Sequence, residues 1–573
     1  MAASTHWLAS QTAMAVLERG GNAFDAAVAG GFVLQIVEPH LNGPGGDLVG
    51  LIAPVGEPVK VLAGLGAAPR GASVESYLAL GLDLVPGAGL LAATAPGAVD
   101  AWLLLLRDHG TWEVDEILAY ALYYAEFGYP VLPAISRTIG SVADLFESSW
   151  STSAEIWLQD GAPLEAGGIH TRPAWAATLR KLLELAPVDS RESRIDGVRD
   201  EWSQGFVAQA IDEFARTSWL DSSGSPHAGV ITAQDLADYS ATWEEPVAID
   251  FRGHTVVKAG AWTQGPGLLQ SLAVLDGFDD DHLDPSTALG AHTVLEVLKL
   301  SLADRDAWYG DDGTAPIATL LSAEYAATRR ALVTDAASPD LRPGRPDGRE
   351  PRIPVTGLTA HPGDGLGGSG EPTIARDGTT RGDTCHLDVA DADGNLVSIT
   401  PSGGWLQSSP YIPELGFCLG SRLQMTWLED DLPTSLRPGQ RPRTTLSPSM
   451  LVKDGRAVLA FGTPGGDQQD QWQLPFLLRY LVGGYELQQA IDAPTFHSTS
   501  ANESFWPRER VPGGAVVEDR LGDEVIAELR ARGHDVTVSG PWSLGRLSAV
   551  SISDDGLRAG ANPRGAQGYA VGR

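Results

Sequence analysis

The chain changes character abruptly at residue 384. Residues 338 to 383 are rich in Pro, Gly, Asp and Arg, carry few large apolar side chains and show no periodicity. Such a stretch buries too little apolar surface to offset the entropy lost on ordering, so we expect it to be mobile. Directly after it, Thr384 to Val389 read as a strand, Asp391 to Asn395 as a hairpin turn and Leu396 to Thr400 as a second strand. The sequence therefore predicts a threonine hydroxyl at the head of a buried hairpin, immediately behind a loose segment.

A hydroxyl in this position suits a chain that cuts itself to expose a new amino terminus. A threonine hydroxyl is a poor nucleophile unless a base lies beside it, and a free α-amine on the same residue, with an ordinary pKa of about 7.7 to 8, can be that base. Inside the intact chain the nitrogen of Thr384 is an amide and has no basicity. Cleavage between Asp383 and Thr384 is therefore predicted to activate the protein.

Length and composition exclude several classes of protein. With 573 residues, 43% of them hydrophobic and 20% charged, the chain has ample material for a globular fold. The net charge of -33 argues against nucleic acid or an anionic membrane as a partner, because both would be repelled. Two cysteines, Cys385 and Cys418, supply neither a disulfide framework nor a four-sulfur metal site. We expect no metal and no cofactor.

Two further patterns indicate neither a membrane span nor a dinucleotide site. The apolar run from Ala26 to Val37 is shorter than a membrane span and lacks a basic leader before it, so we expect a cytoplasmic protein. Gly363, Gly365 and Gly368 have the spacing G-x-G-x-x-G, but no strand precedes them and no helix follows. That context argues against a dinucleotide-binding loop.

Nine separated stretches together carry a family resemblance. They are Gly20 to Ala27, Val37 to His40, Pro96 to Val99, Asp235 to Tyr239, Phe251 to His254, Ala303 to Arg305, Thr384 to Thr400, Leu446 to Pro448 and Gly462 to Gly466. In composition and order this set resembles the γ-glutamyltranspeptidases, a family of N-terminal nucleophile hydrolases. The resemblance implies an α/β fold, a four-layer αββα sandwich with a helical part from a large subunit. It also implies a precursor split into a large subunit, 1 to 383, and a small subunit, 384 to 573.

The resemblance assigns further roles around the nucleophile. Gly465 and Gly466 match the glycines whose backbone N–H groups form the oxyanion hole. Ser402 falls where the family has a hydroxyl that hydrogen-bonds the nucleophile. Thr444 and Thr445 match paired serines that bind the α-carboxylate of a γ-glutamyl group.

The predicted substrate pocket departs from the family pattern. Gly404 replaces an asparagine, and the stretch Gly420 to Met425 lacks the acidic ligands for a substrate ammonium. The family's carboxylate-binding arginine, expected near Leu65, is missing. Arg422 is therefore predicted to clamp a substrate carboxylate in a two-pronged way, with Gln424 beside it as a further substrate-binding residue.

The two residues that follow Thr384 carry reactive groups of their own. Cys385 alternates to the opposite face of the strand, so it is predicted to be a small core residue. His386 is likewise predicted to be structural, because the terminal amine makes an imidazole base unnecessary.

Three functions stay open at this point. The first is γ-glutamyl transfer or glutathione hydrolysis through an ester on Thr384. The second is an amide hydrolase of other specificity, similar to oxamate amidohydrolase or to cephalosporin and glutaryl acylases, and the third is an uncut, non-catalytic scaffold. The expected partners are a small amide that bears a carboxylate and the protein's own second subunit, as an αβ heterodimer alone or paired with another.

Overall fold

A computed structural model describes residues 1–355, 384–564 and 568–573. Most of the predicted mobile segment, residues 356–383, lies outside the described residues, and so do Asp383 and the three glycines of the G-x-G-x-x-G pattern. The preceding part, residues 338–355, has irregular backbone apart from a 3-10 turn at Pro346–Gly348. It lies against a long helix, where Lys299 Nζ donates to Ser338 O at 2.8 Å.

The strands, in chain order, are β1 (Ala2–Ser4), β2 (Asp47–Ala53), β3 (Lys60–Gly64), β4 (Tyr129–Pro130), β5 (Leu158–Gln159), β6 (Ala162–Pro163), β7 (Ile169–His170), β8 (Trp219–Leu220), β9 (Pro226–His227), β10 (Thr242–Glu244), β11 (Val247–Phe251), β12 (His254–Lys258), β13 (Leu387–Ala390), β14 (Leu396–Ser402), β15 (Ser449–Lys453), β16 (Arg456–Gly462), β17 (Phe496–Ser498), β18 (Gly514–Glu518), β19 (Asp535–Ser539), β20 (Ser548–Ser553), β21 (Gly556–Ala561) and β22 (Tyr569–Val571).

The helices, in chain order, are α1 (Trp7–Glu18), α2 (Ala23–Val37), α3 (Val74–Ala79), α4 (Ala98–His109), α5 (Val114–Phe127), α6 (Pro133–Ser149), α7 (Ser151–Trp157), α8 (Pro173–Leu185), α9 (Arg191–Ser203), α10 (Phe206–Ala215), α11 (Ala233–Ala237), α12 (Pro266–Leu275), α13 (Ala288–Trp308), α14 (Ile317–Leu320), α15 (Ala323–Arg330), α16 (Gln469–Leu481), α17 (Leu487–Asp492) and α18 (Asp523–Ala531). Within the described residues, none of these helices is both long and apolar enough to cross a membrane.

Two large sheets face each other at the centre of the molecule. One has the strand order β10-β3-β2-β14-β13-β1-β22, and the other has the order β11-β12-β15-β16-β20-β21. Strand β2 shows the layering, because Leu48 and Ile52 pack toward the helices whereas Val49 and Leu51 pack toward the other sheet. Helices α1, α2, α4 and α5 cover the first sheet and α12, α13 and α16 the second. The predicted four-layer αββα sandwich is therefore confirmed, with α6 to α11 as the additional helical part.

Local signals in the sequence explain how the first helices begin and end. Helix α1 ends before Gly20, which has a φ of +91°. Asn22 then caps α2, because its side chain accepts from the backbone of Asp25 while the Asp25 carboxylate accepts from the Asn22 N–H. The predicted hairpin after residue 384 is present as β13 and β14, paired antiparallel with Leu387 opposite Ile399.

The segment from 417 to 428, whose apolar content predicts a strand, instead has irregular backbone with a 3-10 turn at Arg422–Met425. Its backbone packs edge-on against the loop before β2, where Leu419 forms an isolated bridge with Gly45. The approach is so close that a Cβ on Gly45 would lie 2.1 Å from Cys418 O. Burial on all sides, rather than pairing in a ladder, accounts for the apolar composition.

Candidate active site

Thr384 lies at the end of the hairpin where β14 finishes. Cys385 N donates to Pro401 O at 3.0 Å, which extends the pairing of β13 and β14 up to the predicted nucleophile. Thr384 Oγ1 is 3.1 Å from Ser402 Oγ, and both residues are 1% exposed. The structure thus brings the predicted nucleophile and its predicted hydroxyl partner into hydrogen-bonding contact.

Cys385 and His386 have partners inside the molecule. Cys385 Sγ donates to Glu38 Oε2 at 3.0 Å, and burial raises the pKa of this thiol well above its ordinary value. His386 lies between Thr400 Oγ1 at 2.8 Å and Asp388 Oδ1 at 2.9 Å. These contacts fit the structural roles predicted for both side chains, since a thiol with a raised pKa is a weak nucleophile.

The turn after β16 presents two unpaired backbone donors. The carbonyls of Gly465 and Gly466 accept from the side chains of Gln469 and Gln264, which fixes the turn from both sides. Within the described part of the chain, the N–H groups of these two glycines donate to nothing. Gly465 has a φ of +131°, and a Cβ there would lie 2.8 Å from Trp472 Cζ3. Two fixed, unpaired N–H groups are the arrangement that an oxyanion requires.

Contacts between the two sheets bring this turn to the nucleophile's end of the hairpin. Ser398 Oγ of β14 donates to Phe461 O of β16 at 3.1 Å. One residue on, Gly462 has no room for a side chain, because a Cβ would lie 2.3 Å from His386 Cε1. The end of β16 and the start of β13 therefore touch, with the turn and Thr384 just beyond them.

Thr444 and Thr445 precede β15 and come to the same edge. Ser449 of β15 pairs with Phe461 of β16, so the residues before β15 run beside the turn that follows β16. Thr444 Oγ1 accepts from Leu446 N at 3.3 Å. Thr445 Oγ1 is buried and has no hydrogen-bond partner among the described residues. A buried hydroxyl without a partner is costly unless a ligand satisfies it.

Arg422 and Gln424 are engaged within the protein. Arg422 Nε and Nη2 donate to the two carboxylate oxygens of Asp47 at 2.6 and 2.7 Å, and the pair is buried. Gln424 Nε2 donates to Gly87 O at 3.0 Å, and its Oε1 accepts from Trp506 N at 3.0 Å. The Nε and Nη2 edge of Arg422, which is predicted to bind a substrate carboxylate, is therefore occupied by Asp47. Gln424 connects its own segment to the loops that carry Gly87 and Trp506.

Sequence reasoning missed a group of buried charges beside the turn. We call it the arginine cluster, and its members are Arg305, Arg443, Arg508, Asp306 and Asp467. Ser504 links two of them, because its Oγ accepts from Arg443 Nη2 at 2.6 Å and donates to Asp467 Oδ1 at 2.6 Å. The sequence does carry a signal for this cluster, because Arg443 directly precedes the paired threonines and Asp467 directly follows Gly466.

One group of side chains in the described ranges has the spacing of metal ligands. Ligand atoms of His292, Glu296 and His534 lie within 4.8 Å of one another. The Glu296 carboxylate is already paired with Lys299 and Arg342, and His292 Nδ1 is 2.9 Å from His534 Nε2. Because Lys299 and Arg342 already neutralise the Glu296 carboxylate, a metal cation would be repelled there. These residues are therefore an ion-pair network rather than a metal site.

The four-layer αββα fold is that of the N-terminal nucleophile hydrolases, and comparison with known families specifies it further. The model of the family gamma-glutamyltranspeptidase matches residues 9–572. The chain belongs to this family, which confirms the resemblance drawn from its motifs. Members of the family are proenzymes that act as hydrolases or transferases on amides and are processed into two subunits.

Three similar proteins illustrate the range of the family. Glutathione hydrolase-like YwrD proenzyme of Bacillus subtilis (strain 168) is 30% identical over 580 residues, which are 100% of this chain and 98% of the relative. Oxamate amidohydrolase proenzyme of Klebsiella pneumoniae is 30% identical over 588 residues, again 100% and 98% of the two chains. The solved structure of LmbA2991HD is 53% identical with a TM-score of 0.94, covering 100% of this chain and 98% of that one.

Proposed function

We propose that the protein is a self-processing amide hydrolase that uses Thr384 as an N-terminal nucleophile. The observation that carries this proposal is the buried contact of 3.1 Å between Thr384 Oγ1 and Ser402 Oγ. The unpaired N–H groups of Gly465 and Gly466 on the same edge support it, because they can stabilise a developing oxyanion.

Maturation is the first of two acyl transfers. The Thr384 hydroxyl attacks the carbonyl of Asp383, the peptide nitrogen leaves as the α-amine of Thr384, and water hydrolyses the resulting ester. The products are a large subunit ending in the Asp383 carboxylate and a small subunit beginning at Thr384. These subunits, 1 to 383 and 384 to 573, are proposed to stay together as an αβ heterodimer.

The cytoplasmic location expected from the sequence stays a prediction.

Turnover repeats the same chemistry on a substrate amide. The Thr384 α-amine takes the proton from the hydroxyl, which attacks the substrate carbonyl and holds the acyl group as an ester. The amine of the substrate leaves with a proton, and water or a second amine then removes the acyl group. The β-branch of threonine restricts χ1 and so keeps the attacking oxygen aimed.

Hydrolysis of an amide other than γ-glutamyl is the specificity that the pocket supports best. Arg422 and Gln424 are both occupied within the protein, the stretch Gly420 to Met425 contains no acidic residue, and the neighbouring Asp47 carboxylate is already paired with Arg422. The relative named an oxamate amidohydrolase supports this direction. γ-Glutamyl transfer with glutathione hydrolysis is the second candidate, and the relative named glutathione hydrolase-like supports it.

The proposal is tested with Thr384→Ala and Thr384→Ser beside the wild type. Wild-type protein is expected to give two fragments on a denaturing gel, the smaller one beginning Thr-Cys-His, whereas Thr384→Ala stays uncut near 60 kDa. Thr384→Ser keeps a hydroxyl and is expected to process more slowly. Hydrolysis of acyl p-nitroanilides should rise as pH increases through the pKa of the free amine, about 7.7 to 8. A Thr384→Ala protein that still splits, or a fragment with another first residue, would overturn the proposal.

A further inference from the structure

The turn that follows β16 runs from Thr463 to Gly466, and we call it the oxyanion turn. Two of its carbonyls are held by side chains. Thr463 Oγ1 donates to Pro464 O at 2.7 Å, and Gln469 Nε2 donates to Gly465 O. Thr463 and Gln469 are both fully buried, so bulk water does not compete for either contact.

A carbonyl that is held in this way also fixes the N–H group of the following residue. The peptide groups of the turn are planar and trans, so the C=O and the N–H of each one point in opposite directions. The contact with Gln469 therefore orients the Gly466 N–H, because Gly465 O and Gly466 N belong to one peptide group. By the same geometry, Thr463 orients the Gly465 N–H through the Pro464 carbonyl. These are the two N–H groups that donate to nothing within the described ranges.

The two glycines make this support necessary. A peptide group between two glycines meets little steric resistance to rotation, because neither residue has a Cβ. Rotation of the Gly465–Gly466 peptide by half a turn would direct its carbonyl, instead of its N–H, toward the substrate. A carbonyl in that place repels a developing oxyanion, so catalysis requires one of the two orientations.

The segment before β15 sets the orientation of the Gln469 amide. Ser447 N donates to Gln469 Oε1 at 2.9 Å, which leaves Nε2 as the end that faces Gly465 O. Ser447 is itself held by a buried ion pair, since its Oγ donates to Asp470 Oδ1 at 2.7 Å and its carbonyl accepts from Lys258 Nζ at 3.0 Å. Lys258 Nζ and Asp470 Oδ1 are 2.9 Å apart. A chain of contacts thus runs from the second sheet to the oxyanion turn.

The Thr463 hydroxyl is directed from the other side of the turn. Arg546 N donates to Thr463 Oγ1 at 3.0 Å, so the hydroxyl proton is left for Pro464 O. Arg546 lies just before β20, whose first residue, Ser548, pairs with Gly462 at the end of β16. The two supports of the oxyanion turn therefore come from different strands of the second sheet.

We propose that Gln469 and Thr463 are positioning residues of the oxyanion hole. Gln469 keeps the Gly466 N–H, and Thr463 keeps the Gly465 N–H, directed at the carbonyl oxygen that gains charge during acyl transfer. Neither side chain needs to touch the substrate. This inference rests on the proposed function and adds two residues to that site, whatever the acyl group is.

The first test compares Gln469→Met with Gln471→Met, a matched control on the same helix. Gln471 is also buried, but its side chain bonds Asp467 O at 3.1 Å and both backbone groups of Ser498. With processed enzyme and glutaryl or γ-glutamyl p-nitroanilide, Gln469→Met is expected to lower kcat by about 10- to 100-fold and to change KM less than about threefold, because the oxyanion forms only in the transition state. Gln471→Met should leave kcat within about threefold of the wild type by the same argument. Equal falls in kcat for the two variants, or a loss confined to KM, would overturn the inference.

Thr463→Val tests the other N–H group and serves as the second variant if Gln469→Met folds poorly. Valine has nearly the shape of threonine but no hydroxyl, so kcat should fall by about 5- to 50-fold with little change in KM. Thr178→Val is the control, because Thr178 is also buried and its hydroxyl donates to Leu415 O at 2.9 Å. If kcat falls no further in Thr463→Val than in Thr178→Val, Thr463 has no positioning role.

Crystal structures separate this inference from the proposed function. In the wild type Gly465 O should face Gln469, whereas in Gln469→Met the Gly465–Gly466 peptide should rotate or occupy two orientations. Rotation in a protein that hydrolyses neither anilide supports the inference and counts against the proposed function alone. A peptide that keeps only the wild-type orientation in Gln469→Met overturns the inference, even in an active hydrolase.

Discussion

The guanidinium of Arg422 faces the carboxylate of Asp47 with two parallel hydrogen bonds of 2.6 and 2.7 Å, although the residues are 375 positions apart in the chain. Asp47 opens β2, whose pairing with β14 sets Asp47 opposite Ser402. The ion pair therefore anchors the irregular 417–428 segment to β2, directly opposite Ser402, which is the hydroxyl partner of Thr384.

Replacing Arg422 should reduce stability without changing selectivity. Arg422→Met leaves the buried Asp47 carboxylate unpaired, a change that costs about 3 to 5 kcal/mol in comparable cases. Urea unfolding measures this loss, and the control is Arg70→Met, whose partner Asp238 lies at the surface and whose loss should be below about 1 kcal/mol. A selective loss of carboxylate-bearing substrates in Arg422→Met, with stability unchanged, would instead support the substrate-binding role predicted for Arg422 from the sequence.

Ser402→Ala should slow both maturation and turnover. The variant removes the hydroxyl that lies 3.1 Å from Thr384 Oγ1, and one hydrogen bond of this kind is worth about 1 kcal/mol, or roughly a fivefold fall in kcat. Time courses of fragment formation and of anilide hydrolysis measure the two steps. Ser398→Ala on the same strand, which removes a contact with Phe461 O, should lower stability but leave kcat nearly unchanged.

Gly465→Ala should impair the oxyanion turn. The added Cβ would meet the Trp472 ring at 2.8 Å, and the φ of +131° is unfavourable for alanine. Displacement of one N–H donor typically lowers kcat by about 100- to 1000-fold. Gly455→Ala is the control, since Gly455 also has a positive φ, +76°, but has open space around its Cβ position. If both variants lose kcat equally, backbone strain rather than the turn is responsible.

Stability should fall as the solution becomes acidic, and His497 contributes to this. Burial lowers the pKa of His497 to about 3, against 6.5 as the ordinary value. Above pH 6.5 the residue is neutral in both states, but below it the unfolded chain gains a proton that the folded protein does not accept. The free energy of unfolding therefore decreases from pH 6.5 down to about pH 3, by about 2 kcal/mol at pH 5 for one such residue. His497→Gln should show a shallower fall in urea midpoint between pH 7.5 and pH 5, and an unchanged slope would contradict this origin.

The hairpin and the nucleophile were predictable because their signals are local. The alternation around Leu387 and Ile399 and the turn at Asp391 to Asn395 lie within about 20 residues of Thr384. The partner of Arg422 was not predictable, since Asp47 reaches it only through the pairing of β2 with β14. The arginine cluster was hidden for a similar reason. Its members come together only because Arg305, from α13, contacts both Asp306 and Asp467.

The strand order of the first sheet decides what a cut ahead of Thr384 does to the molecule as a whole. Strand β13 is flanked by β14 and by β1, and β1 in turn is flanked by β22 from the far end of the chain. Strands from before and after the cleavage point thus alternate within one hydrogen-bonded sheet, and β2 from before it pairs with β14 from after it. Native gel filtration of the matured protein should therefore give a single peak at the elution volume of the uncut chain, and dissociation of the two pieces should require the same denaturant concentration that unfolds the sheet.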